Sequence, residues 1–104
     1  MPHFENSYNI KHSEKKLTHK ELVRGLRFNI AAEYEAIQLY QQVVEATDNE
    51  LVKEVLTDIA NEEKEHAGEL LKLLFEIEPD ESKFYKEGEK EVLEMIKELK
   101  KNEN

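Results

Sequence analysis

The sequence predicts an all-α fold: a two-helix antiparallel hairpin followed by a shorter C-terminal helix, with two copies of the hairpin pairing into a four-helix bundle. Three observations carry this. The 104-residue chain is 38% charged and 38% hydrophobic with only three Gly and two Pro, a composition that suits long helices and not a turn-rich β fold. Apolar residues recur at three- and four-residue steps over two long stretches, the period of an amphipathic helix. A chain of this length also buries a modest core on its own, so partner subunits are an expected source of further burial.

Residues 1–16 are polar, include Pro2, His3 and His12, and show no helical period, so they read as an extended N-terminal arm. Thr18 with Glu21 three residues on fits a capping box, and Leu17 and Leu22 stand where a hydrophobic staple requires them. The first helix therefore begins here and opens a hairpin spanning residues 17–78. Its stripe is Leu22, Leu26, Ile30, Ile37, Tyr40 and Val44, and Glu33 fills the one gap. A break from Ala46 to Asn49 carries a second start signal, Thr47 with Glu50, or Asp48 as the cap. The second helix follows with Val52, Leu56, Ile59, Leu70, Leu73 or Leu74, and Ile77, and the missing steps of its stripe are Glu63 and His66. Glu62, Lys64 and Glu65 fall off the stripe. Pro79 ends this helix, because a proline drives the residue before it to extended geometry. Asp80 or Ser82 then caps the third element, residues 79–104. Its narrower stripe of Tyr85, Val92, Leu93, Met95, Ile96 and Leu99 is interrupted by Gly88, and Lys97, Lys100 and Lys101 suit the negative end of its dipole.

The charge balance narrows the partners. Fifteen Lys and Arg against twenty-four Asp and Glu give a net charge of −9, which repels phosphate backbones and attracts cations, so nucleic acid is excluded as a partner. The absence of Cys removes disulfides, thiolate metal sites and cysteine catalysis. No apolar run approaches the ~18 residues of a membrane span, and no signal-peptide stretch opens the chain, so no membrane partner and a cytoplasmic location are expected.

A carboxylate on a core-facing stripe loses hydration, which costs several kcal/mol unless it is protonated, paired or bound to a cation. Glu33, Glu63 and His66 need one explanation between them. Glu63 and His66 are three apart, neighbours ~5–6 Å apart at Cβ on one helix face, so a single metal ion can touch both. In a hairpin closed at residues 46–49, Glu33 lies about as far before the turn as Glu63 and His66 lie after it, so all three meet at one level. Carboxylates with one imidazole suit iron or manganese, and iron leads. Di-iron carboxylate bundles use two single Glu and two Glu-x-x-His units on four helices. This chain carries half of each, so the site is expected on a two-fold homodimer interface that completes the set. The plain alternative is a hydrogen-bonded polar cluster.

Residues 31–74, AAEYEAIQLYQQVVEATDNELVKEVLTDIANEEKEHAGELLKLL, resemble the ferritin-like superfamily, and within it the encapsulated ferritins found with encapsulin nanocompartments. The single Glu of EYEAIQLY and the Glu and His of EEKEH fall on Glu33, Glu63 and His66. The resemblance implies a ferritin-like four-helix bundle and a ferroxidase that oxidises Fe²⁺ with O₂ at a di-iron centre shared by two subunits. It also implies a ring-shaped assembly of such dimers that supplies iron to an encapsulin shell. Some relatives carry an acidic residue of a secondary metal site where this chain has Ala32, whereas Glu35 is retained, and no docking peptide is recognised in the terminal KELKKNEN.

On this reading Glu63 bridges two irons ~3.5–4 Å apart, as in other two-metal sites, while Glu33 and His66 each ligate one. Tyr40, two turns from Glu33, is an expected outer-shell residue, and Glu35 and Glu62 are expected to guide Fe²⁺ inward. Glu65 and Glu69 are further acidic residues on the wet face, and His3, His12 and His19 are read as solvated. Two other functions compete: a rubrerythrin-like peroxidase, and a non-catalytic, metal-stapled helical oligomerisation module.

Overall fold

The computed structural model describes residues 15–103, and every regular element among them is helical: α1 (His19–Ala46), α2 (Glu50–Ile77) and α3 (Pro79–Glu103). The arm read for residues 1–16, with His3 and His12, lies almost wholly outside the described residues.

The start of α1 is the expected capping box. Thr18 Oγ1 accepts from the Glu21 N–H at 3.2 Å, and Glu21 Oε1 accepts from the Thr18 N–H at 2.8 Å, which satisfies two donors that the first turn leaves orphaned. Leu17 and Leu22 both remain exposed, so the expected staple adds little burial. At α2 the cap differs from the expectation. Asn49, and neither Thr47 nor Asp48, accepts the first-turn N–H, from Val52 to Oδ1 at 3.1 Å. Thr47 Oγ1 instead accepts from the Asn49 N–H at 3.1 Å and so holds the cap residue in place. The start of α3 differs too. Pro79 is its first residue rather than a spacer before a cap at Asp80 or Ser82, because a proline lacks the N–H that position N1 leaves unpaired and its φ is preset for a helix. Asp80 and Glu81 fall in the first turn of α3, where the positive end of the dipole favours them.

The described residues form two compact units, divided between Leu74 and Phe75. In the first, α1 and α2 pack around Val23, Leu26, Ile30, Ile37, Ala60, Ala67 and Leu74, all buried. These sit on two seams with alternating three- and four-residue steps, the knobs-into-holes pattern of antiparallel helices. The α1 seam is completed by half-buried Glu33, Tyr40 and Val44, and the α2 seam by half-buried Leu56, Glu63 and Leu70. The buried positions correct the expected stripes at one place, where Val23 is buried and Leu22 is not, and decide between Leu73 and Leu74 in favour of Leu74. Ala60 and Ala67 carry the middle of the α2 seam, where their small side chains let the helices approach closely.

In the second unit, no residue of α3 is buried. The Phe75 and Tyr85 rings meet edge to face at 5.4 Å and 69°, a geometry their quadrupoles favour, and the Tyr85 hydroxyl donates to the Glu81 carboxylate. No helix among the described residues is long and apolar enough to cross a membrane.

Candidate metal centre

Glu33 enters the centre from α1, between Ile30 and Ile37 on the packed seam, and Glu63 enters from α2 between Ala60 and Ala67. Their backbones are therefore fixed by the core on either side. His66, one turn on from Glu63, lies at the edge of the seam and keeps half of its side chain in solvent. Glu33 and Glu63 are only 23% and 19% exposed at the side chain, which is why two carboxylates here require compensation.

The structure brings together the three residues singled out by sequence. His66 Nδ1 lies 3.7 Å from Glu33 Oε2 and 3.7 Å from Glu63 Oε1, and one ligand atom from each residue lies within 4.8 Å of the other two. A separation of 3.7 Å is too long for a direct hydrogen bond. It falls within the ~4.2 Å that two ligands can span when each stands ~2.1 Å from a shared ion. Glu33 Oε2 is buried and has no hydrogen-bond partner. A carboxylate oxygen deprived of both water and a donor is a high-energy acceptor, and the imidazole nitrogen and Glu63 oxygen stand beside it as further donors of electron density. Such a set of hard oxygens with one borderline nitrogen fits iron or manganese.

The remaining residues named from sequence stand apart from this trio. Tyr40 is half-buried on the α1 seam and makes no hydrogen bond to the three. Glu35 is half-buried and Glu62 exposed, and neither joins the cluster among the described residues. His19 opens α1 at an exposed position. Lys64 and Glu65 are exposed as expected, with Lys64 Nζ 3.3 Å from Asn61 Oδ1. Among the described residues, the trio is the one group of His, Asp and Glu ligands so arranged.

Residues 25–104 match the family model described as rubrerythrin. The chain is 40% identical over 82 residues, 79% of its length, to a ferritin-like–encapsulin shell fusion protein of Pyrococcus furiosus. It is 41% identical over 74 residues, 71% of its length, to the encapsulin nanocompartment cargo protein EncC of Myxococcus xanthus. The matched regions amount to 24% and 57% of those two relatives, so the chain spans about a quarter of one and somewhat over half of the other. The crystal structure of the encapsulated ferritin domain from Pyrococcus furiosus superposes with a TM-score of 0.75 at 41% identity, covering 77% of this chain and 82% of that one.

Proposed function

The chain belongs to the rubrerythrin family, and from that premise we propose that it is a ferroxidase which oxidises Fe²⁺ with O₂ between two copies of its α1–α2 hairpin. One observation carries the reading: a buried carboxylate oxygen of Glu33 without a hydrogen-bond partner and a carboxylate oxygen of Glu63, each 3.7 Å from the same imidazole nitrogen of His66, on the seam of the hairpin. Three ligands are too few for two irons, and a two-fold partner adds three more. The surface beside the trio supports such a partner. On α2, Val52, Val55, Ile59 and Leu73 form a second apolar stripe, roughly a quarter turn from the buried seam, and His66 fills the step between Ile59 and Leu73. Val55 and Leu73 are exposed on it, as are Leu22 and Val43 on α1.

In the reaction, two Fe²⁺ each give up one electron, and O₂ takes both with two protons to leave as hydrogen peroxide. The chain's own residues do three things. Glu33 and Glu63 would hold iron and supply negative charge that favours Fe³⁺ over Fe²⁺. His66 offers Nδ1, the nitrogen turned toward both carboxylates. The packed residues on either side of each Glu hold the set in place before iron arrives, so little reorganisation is needed on binding. Tyr40 stands as an outer-shell residue, and Glu35 with Glu62 as acidic groups that draw Fe²⁺ toward the site. Aerobic addition of Fe²⁺ followed by ferric absorbance tests the reading. Glu33→Ala, Glu63→Ala and His66→Ala each slow oxidation at least tenfold, and undiminished oxidation in all three ends it.

The relatives' names support a location inside an encapsulin compartment, and a ring of dimers is proposed to pass oxidised iron to the surrounding shell. Co-expression with an encapsulin shell should then retain this chain in purified particles. A second reading, peroxide reduction, takes its support from the family's name. Turnover of added hydrogen peroxide by iron-loaded protein at a rate above that of Fe²⁺ oxidation would favour it.

A further inference from the structure

The α1–α2 hairpin has a second side that the metal centre does not use. Positions one residue past a seam position stand about 100° round the helix from it, and because the two helices are antiparallel, these positions lie on one side of the hairpin. The apolar stripe with His66 stands one residue before the seam, on the opposite side. On α1 the row past the seam begins with Arg24 and Arg27 at the open end, runs through Tyr34 and Gln38, and ends with Glu45 beside the bend. Lys20 extends it by one turn. On α2 the matching row holds Asn61 and Lys64 midway, with Glu54 two turns earlier beside the bend. One end of this side is thus basic and the other acidic, and its middle carries Tyr34, 50% exposed.

This order does not stabilise a hairpin that stands alone. Lys20 lies in the first turn of α1 and Glu45 in the last, so each occupies the end at which the helix dipole disfavours its charge. Lys20 and Arg24 are four residues apart, a spacing at which like charges repel. Lys20, Arg24, Glu45 and Glu54 show no ion pair among the described residues.

We propose that this side is an interface with a second copy of the hairpin, related by a two-fold axis that passes beside Tyr34 and sets α1 antiparallel to α1 of the other copy. Arg24 and Glu45 lie ten and eleven residues from Tyr34 along α1, so the axis brings the basic end of each copy onto the acidic end of the other. Asn61 and Lys64 then meet across the same axis on α2, the pair that within one chain already stands 3.3 Å apart from Oδ1 to Nζ. A parallel pair gathers Lys20, Arg24 and Arg27 of both copies at one end and Glu45 and Glu54 of both at the other, which the charges oppose. From residue 20 to residue 45 the side is about 38 Å long and about 20 Å wide for two helices, roughly 750 Å² per copy and close to the ~800 Å² of a standard interface. Tyr and Arg, which Tyr34, Arg24 and Arg27 supply, are the residues that most often anchor such contacts. The contact uses no residue of the metal centre. Combined with the pairing proposed there it links one dimer to the next, and that consequence alone rests on the earlier reading.

The chain lacks cysteine, so a single thiol can be placed on this side. Ala31 and Gln38 flank Tyr34 along the row, and the axis sets Ala31 of one copy against Gln38 of the other. Mild oxidation of a chelator-treated mixture of full-length Ala31→Cys and Gln38→Cys proteins, one of them carrying a mass tag, should give mostly mixed disulfide dimers on a non-reducing gel. Either protein alone should link several-fold less, because antiparallel copies hold identical positions about 10 Å apart along the helices. Arg24→Glu with Arg27→Glu in the Ala31→Cys protein should lower the mixed yield several-fold. Adding Glu45→Arg with Glu54→Arg to the Gln38→Cys protein should restore it, with circular dichroism showing unchanged helix content throughout. Absence of the mixed disulfide, equal linkage of identical positions, or a yield indifferent to charge reversal overturns the proposal, and Fe²⁺ oxidation by the same proteins reports separately on the metal centre.

Discussion

Glu33 combines a buried carboxylate oxygen with the absence of any hydrogen-bond partner for it, so on physical grounds the position is a cost to folding that a bound proton or cation offsets. Replacing Glu33 by Leu should therefore raise the stability of metal-free protein by about 1 kcal/mol, because it removes an unsatisfied acceptor and fills the seam with apolar volume. Denaturant unfolding in the presence of a chelator measures this, and the same variant should oxidise no Fe²⁺ above background. A lower midpoint would mean that the carboxylate already has a satisfying partner. Glu33, Glu63 and His66 were legible in the sequence because each breaks an apolar series at a step where the series demands a hydrophobic residue. Val23 was not, since Leu22 and Val23 both continue to Leu26 at an allowed step and only the direction of α2 chooses between them. Ala60 and Ala67 were missed for a different reason. A seam built of small side chains carries a weak hydropathy signal even where it is the most buried part of the helix.

At the scale of elements, caps and breakers decide where each helix begins. Thr18→Ala removes one half of the reciprocal pair with Glu21 and should cost about 1 kcal/mol, read as a lower thermal midpoint. Asn49→Ala should cost a similar amount at α2, whereas Asp48→Ala should change little, and the contrast between the two separates the observed cap from the one expected. The sequence signals there overlapped, because Thr47, Asp48 and Asn49 are all capping residues and differ only in which one reaches a free N–H of the first turn. Pro79 was legible as a boundary but not as to side: the same ring chemistry that stops one helix starts the next, and a single residue, Glu78, separates α2 from α3. Gly68, inside α2, has open space where a Cβ would stand. Gly68→Ala should stabilise metal-free protein by roughly 0.5–1 kcal/mol through helix propensity alone, measured by the same unfolding curve.

Over the whole described molecule, seven apolar residues are buried while fifteen large ones stay exposed. A core so small gives little stability to a lone chain, so association should supply much of the rest. The thermal midpoint should then rise with protein concentration, as it does when subunits fold together, and a midpoint independent of concentration over a hundredfold range would contradict this. The hairpin that presents these surfaces is closed by three residues, Thr47 to Asn49. Its core positions nearest that closure, Ile37 and Ala60, are 23 apart along the chain, and the most distant, Val23 and Leu74, are 51 apart. Such a topology zips from the bend outward on a fast, unimolecular clock, whereas meeting another chain takes a second-order encounter whose pace falls with dilution. If two chains share the centre as proposed, newly synthesised protein would acquire its helices long before it turns over iron, and the lag should shorten in proportion as more chains are made.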